Sequence, residues 1–272
     1  MGKTDSSAII KAMPELKKLI ASLKEKDDVD AVFLTGSCDL PEASAASDID
    51  IVIILKENRV RIKTAYQIID GAFADIFFFD HQDLHKILAA QKIAGNTMDG
   101  ILVSWLNKAK ILFDKSGLTT KAEEHAWRVD LFIPQKEYER TAQEISYNYI
   151  QNRRYYESEN ETYREALGIR LLYSVTELIT GFLTIKGEPW RGEKHAITFF
   201  KHTDSEFHGA FQDYQASTNL VERMRAYEKM VDKIRSSAPL FNYREPICLS
   251  KDECSSGNVS DTLKTYWRNL TS

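Results

Sequence analysis

The chain has 272 residues, 43% of them hydrophobic and 28% charged, with a formal net charge of −4 and a sequence pI near 5.9. That length holds one large domain or two ordinary ones, and that composition describes a globular chain able to bury its core without disulfides. Cys38, Cys248 and Cys254 are odd in number and lack paired spacing, which argues against a disulfide framework and a zinc site and fits a reducing cytoplasm. Divided after Arg128, each part carries a net −2, with no basic block to neutralise a row of phosphates. A small or cationic substrate suits this balance better than a nucleic acid. The first residues contain no apolar core of a secretory signal, and unbroken apolar runs such as residues 51–55 are too short to cross a bilayer. A cytoplasmic protein without a membrane anchor, monomeric or homodimeric, is expected.

In chain order, Ile9, Ile10, Met13, Leu16, Leu19, Ile20 and Leu23 recur at helical spacing, with Pro14 near the start or at a kink. Residues 31–35 (AVFLT) form a short apolar strand that runs into a Gly36-Ser37 turn, and the small polar residues 38–47 read as a loop. Residues 48–55 (DIDIVIIL) are a strongly β-branched strand. Residues 58–70 fit a helix through Val60, Ala65, Ile68 and Ile69, and residues 73–79 (FADIFFF) are a further strand. A helix over 81–93, with His81 and His85 as surface residues, and a short strand over 110–113 complete the mixed part. Beyond about residue 125 the pattern is helical: long stretches at 135–157 and 162–186, a turn at 187–192, a helix from His195, another over 218–235 and a short one over 261–270. The expected architecture is an α+β domain over 1–128, a mixed sheet with helices, followed by an all-α helical bundle over 129–272.

The chemistry concentrates in one segment. On a strand, side chains alternate between faces, so Asp48 and Asp50 point one way while Ile49 and Ile51 point into the core. Two carboxylates that close repel unless a cation lies between them, and Mg²⁺ takes one or two protein carboxylates together with substrate phosphates. Gly36 permits a tight turn whose backbone, with the Ser37 hydroxyl, can cradle phosphate oxygens. Asp75 is a lone acid inside an apolar strand and is the favoured third carboxylate. Asp80 competes for that role but stands at the strand end, where it reads as a helix cap.

An apolar strand, Gly36-Ser37, ten residues and then Asp48-Ile49-Asp50 resembles the signature of the polymerase β-like nucleotidyltransferases. The resemblance covers residues 31–80 firmly and implies that Ser37 contacts a triphosphate and that Asp48 and Asp50 bind Mg²⁺, with Asp75 as third acid. It further implies that a nucleoside monophosphate passes from ATP or another NTP to a hydroxyl as pyrophosphate leaves. The two-domain layout is similar to that of the aminoglycoside and lincosamide nucleotidyltransferases, so a small hydroxylated acceptor is expected. Residues 184–194 (TIKGEPWRGEK) look like the turn after the long helix of those enzymes, which brings basic and aromatic groups to the nucleotide: Lys194 either meets the triphosphate or is solvated, and Trp190 and Arg191 either flank the base or pack at the domain junction. Tyr147, Tyr149, Tyr155, Tyr156 and Tyr163 are either cleft lining or helix core, and Glu137, Glu139 and Glu144 are possible general bases among which spacing does not choose. Two other readings stay open: adenylylation of a protein or RNA, and an inactive domain that senses nucleotide or docks a partner.

Overall fold

The computed structural model describes residues 13–36, 48–241 and 261–271. Ile9, Ile10, Ser37, Cys38, Cys248 and Cys254 lie outside the described residues. The chain divides into two units, residues 1–131 and 132–272.

The first unit is built on a five-stranded sheet in the order β3-β4-β2-β1-β6. Its strands are β1 (Val29–Thr35), β2 (Ile49–Leu55), β3 (Thr64–Ile69), β4 (Ala72–Asp80) and β6 (Lys110–Asp114). β2 and β4 are parallel, and every other pairing in this sheet is antiparallel. The chain between β2 and β4 first runs out to the sheet edge as β3 and then turns back. One face of the sheet packs on α1 (Pro14–Lys24) through Leu16, Val32, Leu34, Ile51, Ile53 and Ile76. The other carries Phe33, Val52, Ile54 and Phe79 against α2 (His81–Ala89), α3 (Met98–Leu106) and α4 (Leu118–Ala126). Alternate residues of β2 thus serve different cores, which is why 51–54 read as an unbroken apolar run. A separate two-stranded ribbon joins β5 (Lys92–Ala94) to β7 (Asp130–Phe132).

Two expectations are corrected here. Residues 58–70 are not a helix: Thr64–Ile69 form β3, paired antiparallel with β4 from Thr64↔Phe77 to Ile69↔Ala72. The cause is Asp70-Gly71, whose φ angles of 51° and 79° are those of a two-residue hairpin turn of the twist that strands favour. That turn imposes a period of two on residues whose apolar spacing also fits a helix. His81 is not simply a surface residue either. Its Nε2 lies 3.0 Å from Oδ2 of the buried Asp30, an ion-pair contact without hydrogen-bond alignment, and the Ser116 hydroxyl donates to the same oxygen.

Asp70 also ties the hairpin to α1. The first turn of that helix lacks a local side-chain cap, and Asp70 fills the place from 55 residues away. The backbone N–H groups of Glu15 and Leu16 donate to its two carboxylate oxygens at 3.1 and 3.0 Å, while the Asp70 N–H donates to Glu15 at 2.7 Å.

The second unit is helical: α5 (Gln135–Tyr156), α6 (Glu161–Ile185), α7 (Glu193–Thr203), α8 (Ser205–Ala216), α9 (Leu220–Arg235) and α10 (Asp261–Thr271). Leu167, Leu171, Val175, Leu178 and Phe182 of α6 form its core with Phe200, Phe207, Met230 and Ile234. By length and composition α6 is apolar enough to cross a membrane, yet these side chains are buried among the other helices, as in the core helix of a soluble protein. Between α5 and α6, Arg170 donates to Asn152 at 2.8 Å and Asn148 at 2.7 Å, and Asn152 donates to Ser174 at 3.0 Å. A buried polar network with its partners in place fixes how two helices slide past each other.

Asp70→Ala is expected to cost about 0.5–2 kcal/mol, because it removes a charge-assisted cap and leaves an alanine in the left-handed region. Asp70→Asn, which keeps one acceptor and tolerates that conformation, should cost less. Urea unfolding of the two variants checks the order.

Candidate active site

Thr35, the last residue of β1, is registered against Asp50 of β2, and Asp50 is registered against Asp75 of β4. Directly paired residues share a face, so this register alone lines up one residue from each of three adjacent strands. Asp48, two residues before Asp50, falls on the same side. One carboxylate oxygen of each of Asp48, Asp50 and Asp75 lies within 4.8 Å of the others. All three residues are half-buried.

Gly36 belongs to this arrangement for two reasons. Its φ of +84° is one that side chains rarely adopt, and a Cβ added there would fall 2.1 Å from Asp50 Oδ2. The turn after β1 therefore lies directly against the Asp50 carboxylate. Only a glycine leaves room for that oxygen.

The electrostatics follow from the packing. Partial burial, and after it the negative charge of Asp48, raise the pKa of Asp75 above the usual carboxylate range. A divalent cation shared by the three would relieve both penalties. Among the described residues the donor set is carboxylate oxygen throughout, and so fits a hard ion such as Mg²⁺ better than zinc or copper.

Asp80 is occupied elsewhere. It caps α2, accepting from the N–H groups of Gln82 and Asp83 at 2.9 and 3.2 Å, while Asp83 accepts from the Asp80 N–H to close a capping box. Its second oxygen accepts from Asn58 N–H at 3.2 Å. Ser37 lies outside the described residues. Lys194 is the second residue of α7 in the helical unit. Near it, Trp190 packs partly buried on the helical core, and Glu188 lies 3.5 Å from Arg191 and 3.2 Å from His195. Tyr149, Tyr155 and Tyr156 are partly buried against that core, whereas Tyr147 and Tyr163 are exposed. Glu139 accepts from Gln135 and Glu144 pairs with Arg140, both one helical turn away on α5. The sequence reading passed over Tyr66 and Phe73, whose rings stack at 5.9 Å beside Asp75. The signal that finds them is the Asp70-Gly71 turn.

Two substitutions test this geometry. Gly36→Ala should displace the Asp50 carboxylate and weaken Mg²⁺ binding, read by calorimetry, while the circular dichroism spectrum of the fold persists. Asp48→Asn should raise the unfolding midpoint in EDTA at neutral pH by about 1–3 °C, since it removes like-charge repulsion. The raised Asp75 pKa sets the sign of the pH dependence. The cost of ionising Asp75 in the fold is absent below its unfolded pKa and complete above its raised folded pKa. The gain should therefore vanish as the pH falls through the carboxylate range.

Residues 16–156, just over half of the chain, match the family described as Nucleotidyltransferase domain. The match contains all three carboxylates and Gly36, and it reaches through α5 of the helical unit. No curated protein is significantly similar in sequence. Among solved structures, a nucleotidyltransferase-like protein from Exiguobacterium sibiricum 255-15 is 12% identical, with 82% of this chain and 74% of that chain covered. Its TM-score of 0.40 marks a likeness too loose to bear on the site. With the family match spanning the strand ends that carry Gly36, Asp48, Asp50 and Asp75, the chain belongs to the nucleotidyltransferase domain family.

Proposed function

We propose that the protein transfers a nucleoside monophosphate, AMP from ATP, to a hydroxyl of a small molecule and releases pyrophosphate. The observation that carries this reading is the convergence of Asp48, Asp50 and Asp75 on one face of the sheet, against the turn at Gly36. The three carboxylates would hold Mg²⁺, which when bound lowers the pKa of an attacking hydroxyl and neutralises the charge of a departing pyrophosphate. The turn that begins at Gly36 would offer backbone N–H groups, and Ser37 after it a hydroxyl, to phosphate oxygens. Asp75 stands at the far side of the trio from that turn, one strand further out. As the carboxylate on that side, it is assigned the proton of the attacking hydroxyl. Lys194 is assigned to the triphosphate as a counter-charge. The proposed acceptor is a small hydroxylated compound, with antibiotics of the aminoglycoside or lincosamide type as the named class. The even, slightly acidic charge supports a small acceptor over a nucleic acid. The same reading places the reaction in the cytoplasm.

Pyrophosphate release from ATP over a panel of hydroxylated acceptors tests the proposal. Asp48→Asn and Asp50→Asn are each expected to lower turnover at least about a thousandfold without unfolding the chain, because charge changes and side-chain volume does not. Asp75→Ala should lower kcat far more than it weakens nucleotide binding. Asp80→Ala should cost about 0.5–2 kcal/mol of stability and leave the chemistry alone. Turnover that survives both Asp48→Asn and Asp50→Asn contradicts the assignment.

A further inference from the structure

Among the described residues, helices cover the sheet face that carries the carboxylates only in part. Trp105 of α3 lies on Phe77 and Phe79 of β4, with ring centroids at 4.4 and 6.2 Å. One step further along β4 on that face stands Asp75, and one step beyond it Phe73, which is exposed. The neighbouring edge strand contributes Tyr66, registered against Asp75, and Ile68, registered against Phe73. Tyr66, Ile68 and Phe73 are 64%, 59% and 49% exposed, although large apolar side chains on a half-covered sheet normally lie under a helix. The Tyr66 and Phe73 rings are stacked on each other, 5.9 Å apart and 17° from parallel. Together with Ile68 they make an exposed apolar shelf on the same face as the carboxylate trio.

Its position across the sheet selects its occupant. Along the strand order, Gly36 follows β1, Asp50 is on β2, Asp75 on β4 and Tyr66 on β3. With strands about 4.8 Å apart, the turn at Gly36 and the shelf lie on opposite sides of the carboxylates. In-line displacement at phosphorus places the attacking oxygen and the leaving oxygen on opposite sides as well. If the departing pyrophosphate lies toward Gly36, the attacking hydroxyl comes from the side of the shelf. An exposed aromatic pair offers a ring face for stacking, and one strand spacing from shelf to Asp75 matches a hydroxyl one or two bonds from a ring.

We propose that Tyr66, Ile68 and Phe73 form the acceptor subsite, and that it takes an alcohol carried on or next to a ring with a flat apolar face. This rests on the transfer reaction proposed above. In that reaction the acceptor oxygen bonds to the α-phosphorus, the bond from that phosphorus to the bridging oxygen breaks, pyrophosphate leaves with the electron pair, and the hydroxyl proton passes to Asp75.

The probe is benzyl alcohol, whose oxygen is two bonds from its ring, with ethanol as the ringless control at equal concentration. Saturation-transfer NMR without nucleotide reads ring binding directly, and pyrophosphate release from Mg·ATP reads its use as acceptor. The test variant is Tyr66→Thr with Phe73→Thr, which keeps β-branched residues on the strands, and its unfolding midpoint checks the fold. Each single variant serves if the double one is unstable. The wild type should bind the probe, and release pyrophosphate faster with it than with ethanol. The double variant should bind it about tenfold more weakly or worse, with Mg·ATP affinity retained. Probe binding that is absent in the wild type, or equal in the variant, overturns the proposal. So does a variant that loses Mg·ATP affinity, which would assign the shelf to the nucleobase. A variant that turns a dimer into a monomer with probe binding intact also overturns it, and would assign the shelf to a second copy of the chain. Probe binding that depends on the shelf in a protein that does not bind Mg·ATP supports the ring site and contradicts the transfer reaction.

Discussion

The register of β2 between β1 and β4 is the constraint on which the site depends. Thr35, Asp50 and Asp75 stand side by side only because β2 pairs antiparallel on one side and parallel on the other at those positions. A slip of one residue between β2 and β4 would turn Asp75 to the opposite face and break the trio, and a slip between β1 and β2 would turn Thr35 away from Asp50. What prevents it is apolar. Ile51 and Ile53 face the α1 side and Val52 and Ile54 the side of α2 to α4, so a slipped β2 would mis-seat all four at once. Burying an aliphatic side chain is worth about 1.5–3 kcal/mol, several times the repulsion between half-exposed carboxylates. Hydrophobic burial therefore holds three like charges together that would otherwise separate.

The parts around the site follow from that arrangement. The close contact between Gly36 and the Asp50 carboxylate couples the turn after β1 to the acids. The hairpin at Asp70-Gly71 brings β4 back beside β2, and the same Asp70 caps α1, the helix that covers the other face. One residue thus helps to place both Asp75 and the helix that supports its strand. Asp80, at the other end of β4, is spent on holding α2. The two acids on β4 differ in role because one faces a row of neighbouring strands and the other a helix start.

Much of this was legible in the residues. Alternation on β2 put Asp48 and Asp50 on one face, and a single acid inside 73–79 pointed to Asp75 over Asp80. The long helical stripes of the second unit were visible because Leu167, Leu171, Leu178 and Phe182 repeat over several turns. The failures were short or tertiary. Val60, Ala65, Ile68 and Ile69 fit the spacing of a helix, and it is the Asp70-Gly71 turn that decides for a strand over Thr64–Ile69. The three-residue β5 and β7 carry too few residues for any period to show. The pairing of His81 with Asp30 and the shelf of Tyr66 and Phe73 depend on which strands are neighbours, and a linear pattern does not contain that information.

The central claim is that Asp48, Asp50 and Asp75 act as one cation site for a bound nucleotide. Calorimetric titration of ATP, once with Mg²⁺ and once with EDTA, tests it most directly. The account predicts binding with Mg²⁺ and a loss of at least about tenfold in affinity without it. Equal affinity under the two conditions would contradict it.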